Sequence, residues 1–445
     1  MKKNENIKYL TAGLILLSLF FYWLLGYRTN RQDFMPLITV YSILFVSYLL
    51  SLWICEKLNF KILFFAGLAF RVLLIFSLPA LSNDYFRFIW DGNLLGQGLN
   101  PYNHLPVDLI KENTFTNSSF YLQLFNGMGE LSQNNYTNYP PLNQVVFWFP
   151  SLFTQNISSY IFFYRIVMIA SDIGTFFIGR KILKSMGLKS NNIFIYFLNP
   201  LVIIEITGNL HFEGLMIFLF VFSFYMIQKK RNLLSSLFLG MSVLIKLVPL
   251  IFMPFIVKRT GFKKGAVYTV VVLMTVTVSY LPFLTPDFIE HYTSSLDLYF
   301  RKFEFNASIY YIVREIGFHI KGYNIIQSAG PVLSVISAFA IVLFFIFQKS
   351  GNTVSFFNSI LAGLTVYYLF ATTVHPWYIT VLLMISVFTK FRYVMVWTYF
   401  VFMSYFAYGN DGFSESILLI IIEYLSVFGI FVFEFIKIKH LWRCR

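Results

Sequence analysis

The chain contains 445 residues, of which 58% are hydrophobic and only 12% are charged, with a formal net charge of +14 and a mean hydropathy of +0.68. Soluble domains carry about 25% charged residues, so this composition cannot cover a surface that faces water. It excludes a soluble enzyme and predicts an all-α, polytopic integral membrane protein.

Apolar runs of membrane-spanning length recur along the chain. A spanning helix needs about 20 apolar residues. The predicted spans are 8–27, 35–54, 61–81, 160–179, 193–208, 211–227, 266–284, 326–348, 354–373, 377–389, 393–408 and 416–436. Two further stretches do not fit a single crossing: 142–153 is short, and Lys246 and Pro249 interrupt 233–257. We interpret 233–257 as a helical hairpin or two short helices, and expect about 11–14 membrane helices.

Basic residues indicate the side on which each connection lies. Lys and Arg gather at both termini and at 57–61, 180–189, 229–231, 258–264 and 390–392. The positive-inside rule places these segments, and both termini, in the cytosol. All of these basic segments fall on the cytosolic side only if 142–153 does not cross the membrane. This segment is therefore expected to be re-entrant or interfacial. The positive net charge is therefore interpreted as topology, not as a nucleic-acid site, in a chain expected in a bacterial cytoplasmic (inner) membrane.

We interpret the chain as a single domain, 1–445. The first three spans occupy 1–81, a large outer loop with interfacial helices follows at 82–141, and the remaining spans lie in 142–445 with a second outer loop at 285–325. The second loop carries four Lys or Arg residues, against the charge rule, but long loops follow that rule less strictly.

The polar segment just after the third span is the richest in chemistry. Ser82 can cap a helix that ends near Gly96 or Gly98, and on that helix Asp84, Arg87 and Asp91 lie on one face. Two interpretations remain open from periodicity alone. The segment is either a capped interfacial helix with an internal salt bridge, or a row of two carboxylates and a guanidinium that performs chemistry.

Other polar and aromatic residues are expected at the same membrane face. Ionisable residues at membrane depth are functional hypotheses by default. The residues concerned are Asn100, Tyr102, Tyr139, Asn209, His211, Glu213, Lys246, His375 and Trp377. Hydrogen-bonded interfacial histidines and an aromatic belt are the structural alternatives for His211, His375 and Trp377.

Three charged residues fall inside predicted spans. Arg165 and Asp172 are seven residues apart and are expected to form a buried structural pair. Arg71 can either reach the outer site or bind a helix carbonyl. The sequence has no metal-binding spacing of Cys or His, so no cofactor is expected, and a divalent cation between Asp84 and Asp91 has no support.

The first outer loop contains motifs of a known family. Residues 84–92 read DYFRFIWDG, residues 98–102 read GLNPY and residues 139–141 read YPP, followed by NLHFE at 209–213 and HPW at 375–377. In these motifs the chain resembles bacterial polyprenyl-phosphomannose-dependent mannosyltransferases of the GT-C class. It also resembles the eukaryotic enzyme that adds the first mannose to the GPI precursor.

The resemblance implies a polyprenyl-phosphate-linked sugar donor, and a glycolipid or glycan acceptor on the non-cytosolic side. Asp84 takes the place of the acidic residue that is essential in GT-C enzymes, although many relatives carry Asp-x-Asp where this chain has Asn83 before Asp84. We expect transfer of a hexose, most simply mannose, with inversion. Asp84 and Asp91 are expected to be catalytic, and the remaining candidates to bind the donor phosphate or substrate: Arg87, Asn100, Tyr102, Tyr139, Asn209, His211, Glu213, Lys246, His375 and Trp377.

Two other functions remain open at the level of sequence. A transporter or lipid flippase would have inverted repeats and discontinuous helices near the membrane midplane. The stretch 233–257 can be such a helix, but the polar residues gather at one face instead. A GT-C enzyme that uses a different sugar is the second alternative, because sugar identity depends on pocket contacts that the sequence does not reveal.

Overall fold

The structure is a computed structural model that describes residues 2–112, 115, 118–348, 352–409 and 412–443. Side chains are described for these residues except 2–5, 299–300 and 438–443. The structure is 78% helical, and the described residues contain no strand. One isolated backbone bridge joins Phe305 and Thr373. The expected all-α architecture is confirmed.

The α-helices follow one another in chain order. They are α1 Lys2–Arg28, α2 Phe34–Ile54, α3 Phe60–Leu73, α4 Asp84–Gly96, α5 Pro106–Lys111, α6 Ser119–Gln133, α7 Pro141–Trp148, α8 Ile157–Ser185, α9 Phe194–Phe197, α10 Pro200–Val202, α11 Glu213–Gln228, α12 Asn232–Val243, α13 Met253–Thr260, α14 Phe262–Tyr280, α15 Phe288–Arg301, α16 Ile309–Lys321, α17 Ile326–Phe347, α18 Thr353–Phe370, α19 Ile379–Val387, α20 Tyr393–Phe400 and α21 Ile417–Arg443. A π-helix, Ile203–Gly208, continues α10.

Seven of the described helical segments are long and apolar enough to cross a membrane, which makes this a multi-pass membrane protein. They contain α1, α2, α8, α14, α17, α18 and α21. An eighth crossing results if Ser190–Phe197 and Pro200–Gly208, bent by 54°, form one span. Other predicted spans, such as 211–227 and 377–389, are helices of fewer than 18 residues. The larger expected number of crossings therefore depends on these short and broken helices.

The third predicted span, 61–81, is shorter in the structure than expected. The helix α3 ends at Leu73, and the chain then runs without α-helix to Asp84. Pro79 contributes to this, because in a continued helix its ring would clash with the carbonyl group four residues earlier, at Ile75. The consequence is that the segment expected to be the first outer loop starts several residues earlier than the hydropathy suggested.

The two ambiguous apolar stretches both form short helical segments. The stretch 142–153 contains the eight-residue helix α7 and a short 3-10 helix, Phe149–Leu152. At about 1.5 Å per residue, neither can cross a hydrocarbon core about 30 Å thick. The stretch 233–257 forms α12 and α13, which are separated by the break around Lys246 and a 3-10 helix, Val248–Phe252.

The buried charges inside the bundle pair differently from the sequence prediction, which was wrong for Arg165 and Asp172. The partner of Asp172 is Arg71, with Nε 2.8 Å from Oδ2 and both side chains fully buried. Seven residues place Arg165 about 10.5 Å from Asp172 along the helix axis, too far for a direct bond. Arg165 instead donates to the carbonyl oxygens of Ile75, Ser77, Thr207 and Gly208.

The helix α4 is held against the membrane bundle by close backbone packing on α7. A Cβ atom on Gly92 would lie 2.2 Å from the carbonyl oxygen of Phe147, so only glycine permits this approach. On another side, Asn83 donates to the carbonyl oxygens of Gly127 and Met128 in α6. These contacts fix the position of the residue that follows Asn83, which is Asp84.

Removing the charge of Arg71 should destabilise the protein strongly, because Asp172 would remain as an unpaired buried charge. Breaking a buried ion pair by removing one partner costs about 3–5 kcal/mol. We expect Arg71→Met to lower the thermal unfolding temperature of the purified protein in detergent. The control is Glu56→Gln, which breaks an exposed 3.7 Å pair with Lys189 and should have little effect. Equal unfolding temperatures in the two variants would contradict this role of Arg71.

Candidate active site

Four interruptions of helical structure bring the candidate residues together. Asp84 opens α4, His211 lies in the turn before α11, Lys246 lies in the break between α12 and α13, and His375 and Trp377 precede α19. Asp84 Oδ2 is 4.0 Å from His211 Nδ1. The imidazoles of His211 and His375 both stack on Trp377, with ring centroids 3.7 Å and 4.3 Å from the indole. The structure thus assembles a site from residues up to 293 positions apart in sequence, from 84 to 377.

Lys246 provides the site with an accessible cation. Its amine forms an ion pair with Glu213 and lies 4.1 Å from the centroid of the Tyr378 ring. The Lys246 side chain is 34% exposed, whereas that of Glu213 is 5% exposed. The ammonium can therefore meet an anion without leaving its place, while Glu213 stays enclosed.

Sequence reasoning missed Glu205, a fully buried carboxylate in the π-helix. Its Oε2 lies 3.4 Å from His211 Nε2 and accepts a hydrogen bond of 3.1 Å from Asn209. Its Oε1 accepts a bond of 2.7 Å from the hydroxyl of Tyr405. His211 therefore lies between two carboxylates, Asp84 and Glu205. A signal was available, since Glu205 is the one Asp, Glu, Lys or Arg residue in the sequence of the predicted span 193–208.

The surroundings of Asp84 make its carboxylate a stronger base than an aspartate in water. Burial raises the pKa of Asp84, and Glu213 adds to that rise, whereas His211, Lys246 and a hydrogen bond from Ser82 oppose it. The side chain remains 32% exposed, so a substrate hydroxyl can reach the carboxylate. An accessible carboxylate whose pKa is raised in this way suits proton abstraction.

His375 is held in its neutral form. Burial lowers the pKa of His375 well below its usual range, and the positive charges of Lys246 and His211 lower it further. Its Nδ1 atom is buried and has no hydrogen-bond partner among the described residues. At neutral pH this imidazole can therefore donate or accept a hydrogen bond, but it adds no positive charge to the site.

Arg87 and Asp91 form a separate structural unit. Arg87 Nε donates to Asp91 Oδ1 at 2.7 Å, and Arg87 also donates to the carbonyl oxygen of Asn135 at 2.9 Å. Asp91 is fully buried, and Gln144 donates to its second oxygen at 3.4 Å. Asp84, Arg87 and Asp91, which were expected to act together on one helix face, thus have different partners. Asp84 faces His211, whereas the Arg87–Asp91 pair holds the backbone at Asn135, in the segment that leads to α7.

Asn100, Tyr102 and Tyr139 also hold the loops together. Tyr102 donates to the carbonyl oxygen of Tyr139 at 2.7 Å, and Asn100 donates to that of Phe283 at 2.8 Å. The first bond links two parts of the loop 82–141, and the second joins this loop to Phe283, three residues after the end of α14. Neither bond contacts Asp84. Asn209 has a similar role beside the site, because its Oδ1 accepts a 3.2 Å bond from the backbone of Leu81.

The candidate residues, which all lie in the described part of the chain, do not form a metal-binding cluster. Among the residues that the structure describes, no group of three or more His, Cys, Asp or Glu side chains is arranged to hold a metal ion. The polar chemistry present around Asp84 is that of carboxylates, imidazoles and an ammonium group, which can move a proton and bind an anion.

A family model described as alpha-(1->6)-mannopyranosyltransferase, N-terminal domain, matches residues 10–260, more than half of the chain. The chain belongs to this family. It is therefore a membrane glycosyltransferase, and the resemblance seen in the sequence motifs is confirmed. None of the curated proteins matches the chain. The matched part of this mannosyltransferase includes Asp84, His211 and Lys246, while His375 and Trp377 lie beyond it.

Proposed function

We propose that the enzyme transfers mannose from a polyprenyl-phosphate-linked donor to a glycolipid or glycan acceptor on the non-cytosolic side of the membrane. The observation that carries the proposal is the environment of Asp84. Of the carboxylates considered catalytic from the sequence, Asp84 is partly exposed and faces His211 and Lys246, whereas Asp91 is enclosed and paired with Arg87.

In the proposed reaction, Asp84 is the general base. It takes the proton of the acceptor hydroxyl as the hydroxyl oxygen bonds to the anomeric carbon of mannose. The bond from that carbon to the phosphate oxygen breaks through an oxocarbenium-like state, and polyprenyl phosphate leaves. Attack opposite the leaving group inverts the anomeric carbon. If the product has the alpha-(1->6) linkage named in the family description, the mannose of the donor must be β-linked to phosphate.

The departing phosphate gains negative charge and requires a positive partner. Lys246 fits this role because its ammonium is accessible and lies near Asp84. His211 can assist when protonated, and neutral His375 can donate a hydrogen bond from a ring nitrogen. Arg87 is less suitable, because Asp91 and backbone carbonyls already occupy it.

Several helices support a non-cytosolic location for the site. Glu213 opens α11 at the site, while Lys229, Lys230 and Arg231 follow its other end. His375 likewise precedes α19, and Lys390 follows it. By the positive-inside rule, the basic ends and both termini lie in the cytosol of a bacterial inner membrane. The polyprenyl tail would then lie in lipid beside the helices.

Replacing the proposed base should abolish transfer. Asp84→Asn keeps the shape of the side chain but removes the proton acceptor, and loss of a general base lowers rates by about 100- to 10,000-fold. Asp91→Asn should reduce activity less, because it weakens a structural pair. The measurement is mannose transfer by each purified variant from a polyprenyl-phosphate mannose donor. Activity in Asp84→Asn with none in Asp91→Asn would assign the base to Asp91, and near wild-type activity in both would refute the proposed site.

The pH dependence of transfer should report the ionisation of Asp84. Because its pKa is raised, activity should fall with decreasing pH at a higher pH than for an ordinary aspartate. Lys246 opposes that rise, so Lys246→Met should move the acid limb of kcat/KM to still higher pH. Lys258→Met is the matched control, since Lys258 binds the carbonyl oxygens of Phe345 and Ile346. An acid limb that does not move in Lys246→Met would exclude Asp84 as the titrating base.

The first outer loop should be accessible from outside the cell. In a background with Cys55→Ser and Cys444→Ser, we expect Glu130→Cys in the loop to react with a membrane-impermeant maleimide on intact cells. Lys189→Cys, in an exposed basic connection, should react only after the cells are permeabilised. The opposite labelling pattern would place the site in the cytosol and overturn the proposed orientation.

A further inference from the structure

A guanidinium without a carboxylate partner lies at the edge of the candidate active site. Arg31 belongs to the short connection between α1 and α2. Its Nη1 donates to the carbonyl oxygen of Leu81 at 3.2 Å, and its guanidinium carbon lies 4.2 Å from the centroid of the Tyr408 ring. Of the described residues, none forms an ion pair with Arg31. The side chain is partly exposed, so its remaining donors can be reached.

Contacts on both sides of Arg31 lead directly to the site. Leu81 precedes Asp84 by three residues and donates to Asn209, which in turn binds Glu205. On the other side, the Tyr408 ring lies 5.8 Å from that of Phe305, which stacks on His375 at 4.8 Å. The charges of Arg31 and Asp84 both act on the Tyr408 hydroxyl. Arg31 therefore lies beside the chain segment that leads to Asp84.

The charge of the site explains why a second cation is needed. The carboxylates of Asp84, Glu205 and Glu213 surround His211 and Lys246. When all three are ionised, they outnumber the ammonium of Lys246, and even a protonated His211 would not leave an excess of positive charge. A phosphate that carries one negative charge in the donor and about two after transfer would be repelled by such a site.

We infer that Arg31 binds the phosphate of the polyprenyl-linked donor and of the polyprenyl phosphate that leaves, as a substrate-binding residue. The inference rests on the proposed function. A guanidinium presents several N–H donors in a planar fork that matches phosphate oxygens, and one face of it is already oriented by Tyr408. Arg31 follows the end of α1 by three residues, and the proposed topology places this end at the outer membrane surface, where the phosphate of a lipid embedded in the bilayer would lie.

The test compares Arg31→Gln with Arg28→Gln in the full-length protein. Arg28 is the last residue of α1, is exposed, and contacts the Trp23 ring instead of the site, so it controls for a general loss of positive charge. Two quantities are measured for each variant: binding of polyprenyl monophosphate in nanodiscs of zwitterionic lipid, and kcat/KM for mannose transfer. Arg31→Gln should weaken both by about 10- to 100-fold, as expected for the loss of charge-assisted hydrogen bonds, and Arg28→Gln neither. Arg31→Lys should recover part of the affinity.

Each other outcome has a defined meaning. Unchanged phosphate affinity in Arg31→Gln with reduced transfer would show that Arg31 only positions Leu81, and would overturn the inference. Competition by phosphatidylglycerol as strong as that by polyprenyl monophosphate would assign Arg31 to bilayer headgroups, with the same result. If Arg31→Gln does not purify as a single species, Arg31→Lys is measured instead. Unchanged phosphate affinity and unchanged kcat/KM in Arg31→Lys would refute a contact in which the planar guanidinium binds two phosphate oxygens. Absence of any transfer or binding by the wild-type enzyme would refute the proposed function rather than this inference.

Discussion

Arg165 holds together the two segments on which the candidate site depends. Its guanidinium binds four carbonyl oxygens, two in the segment that leads to Asp84 and two at the end of the π-helix that leads to His211. Both segments have left regular α-helical bonding in a largely buried part of the bundle, where an unpaired backbone group costs several kcal/mol. A cation that satisfies all four makes these irregular segments stable. Asp84 and His211 can face each other because this one side chain joins their supports.

The acidic residues of the protein have different tasks because their partners differ. Asp172 and Asp91 are fully buried, and each is neutralised by an arginine, Arg71 and Arg87 respectively. Glu205 is equally buried, but hydrogen bonds from Asn209 and Tyr405 occupy it beside His211. Asp84 retains contact with solvent and lacks an arginine. A carboxylate that is desolvated in part and incompletely paired holds its proton more tightly, which is the property a general base requires.

The sequence predicted local features of the site well and pairings across the bundle poorly. The helix that ends at Gly96, the break at Lys246 and the turns that hold His211 and His375 follow from glycine, proline and charge within a few positions. The N-cap residue of this helix, however, is Asn83 and not Ser82. The partner of Asp172 could not be derived in this way, because Arg71 lies 101 residues away and meets it only after folding. The early end of α3 was missed because residues 74–81 are apolar except for Ser77. Hydropathy does not distinguish a helix from irregular backbone whose hydrogen bonds are made to another chain segment.

The ion pair between Lys246 and Glu213 gives the proposed reaction a means of coupling its two halves. In the structure, the charge of Lys246 is shared between Glu213 and, more distantly, Asp84, and it lowers the pKa of Asp84 against the effect of burial. As the phosphate leaves, its growing negative charge competes for the same ammonium. Lys246 then stabilises Asp84 less, so the basicity of Asp84 increases as the acceptor proton moves toward it. An interaction that strengthens during bond breaking in this way lowers the barrier, because it favours the transition state over the bound substrate.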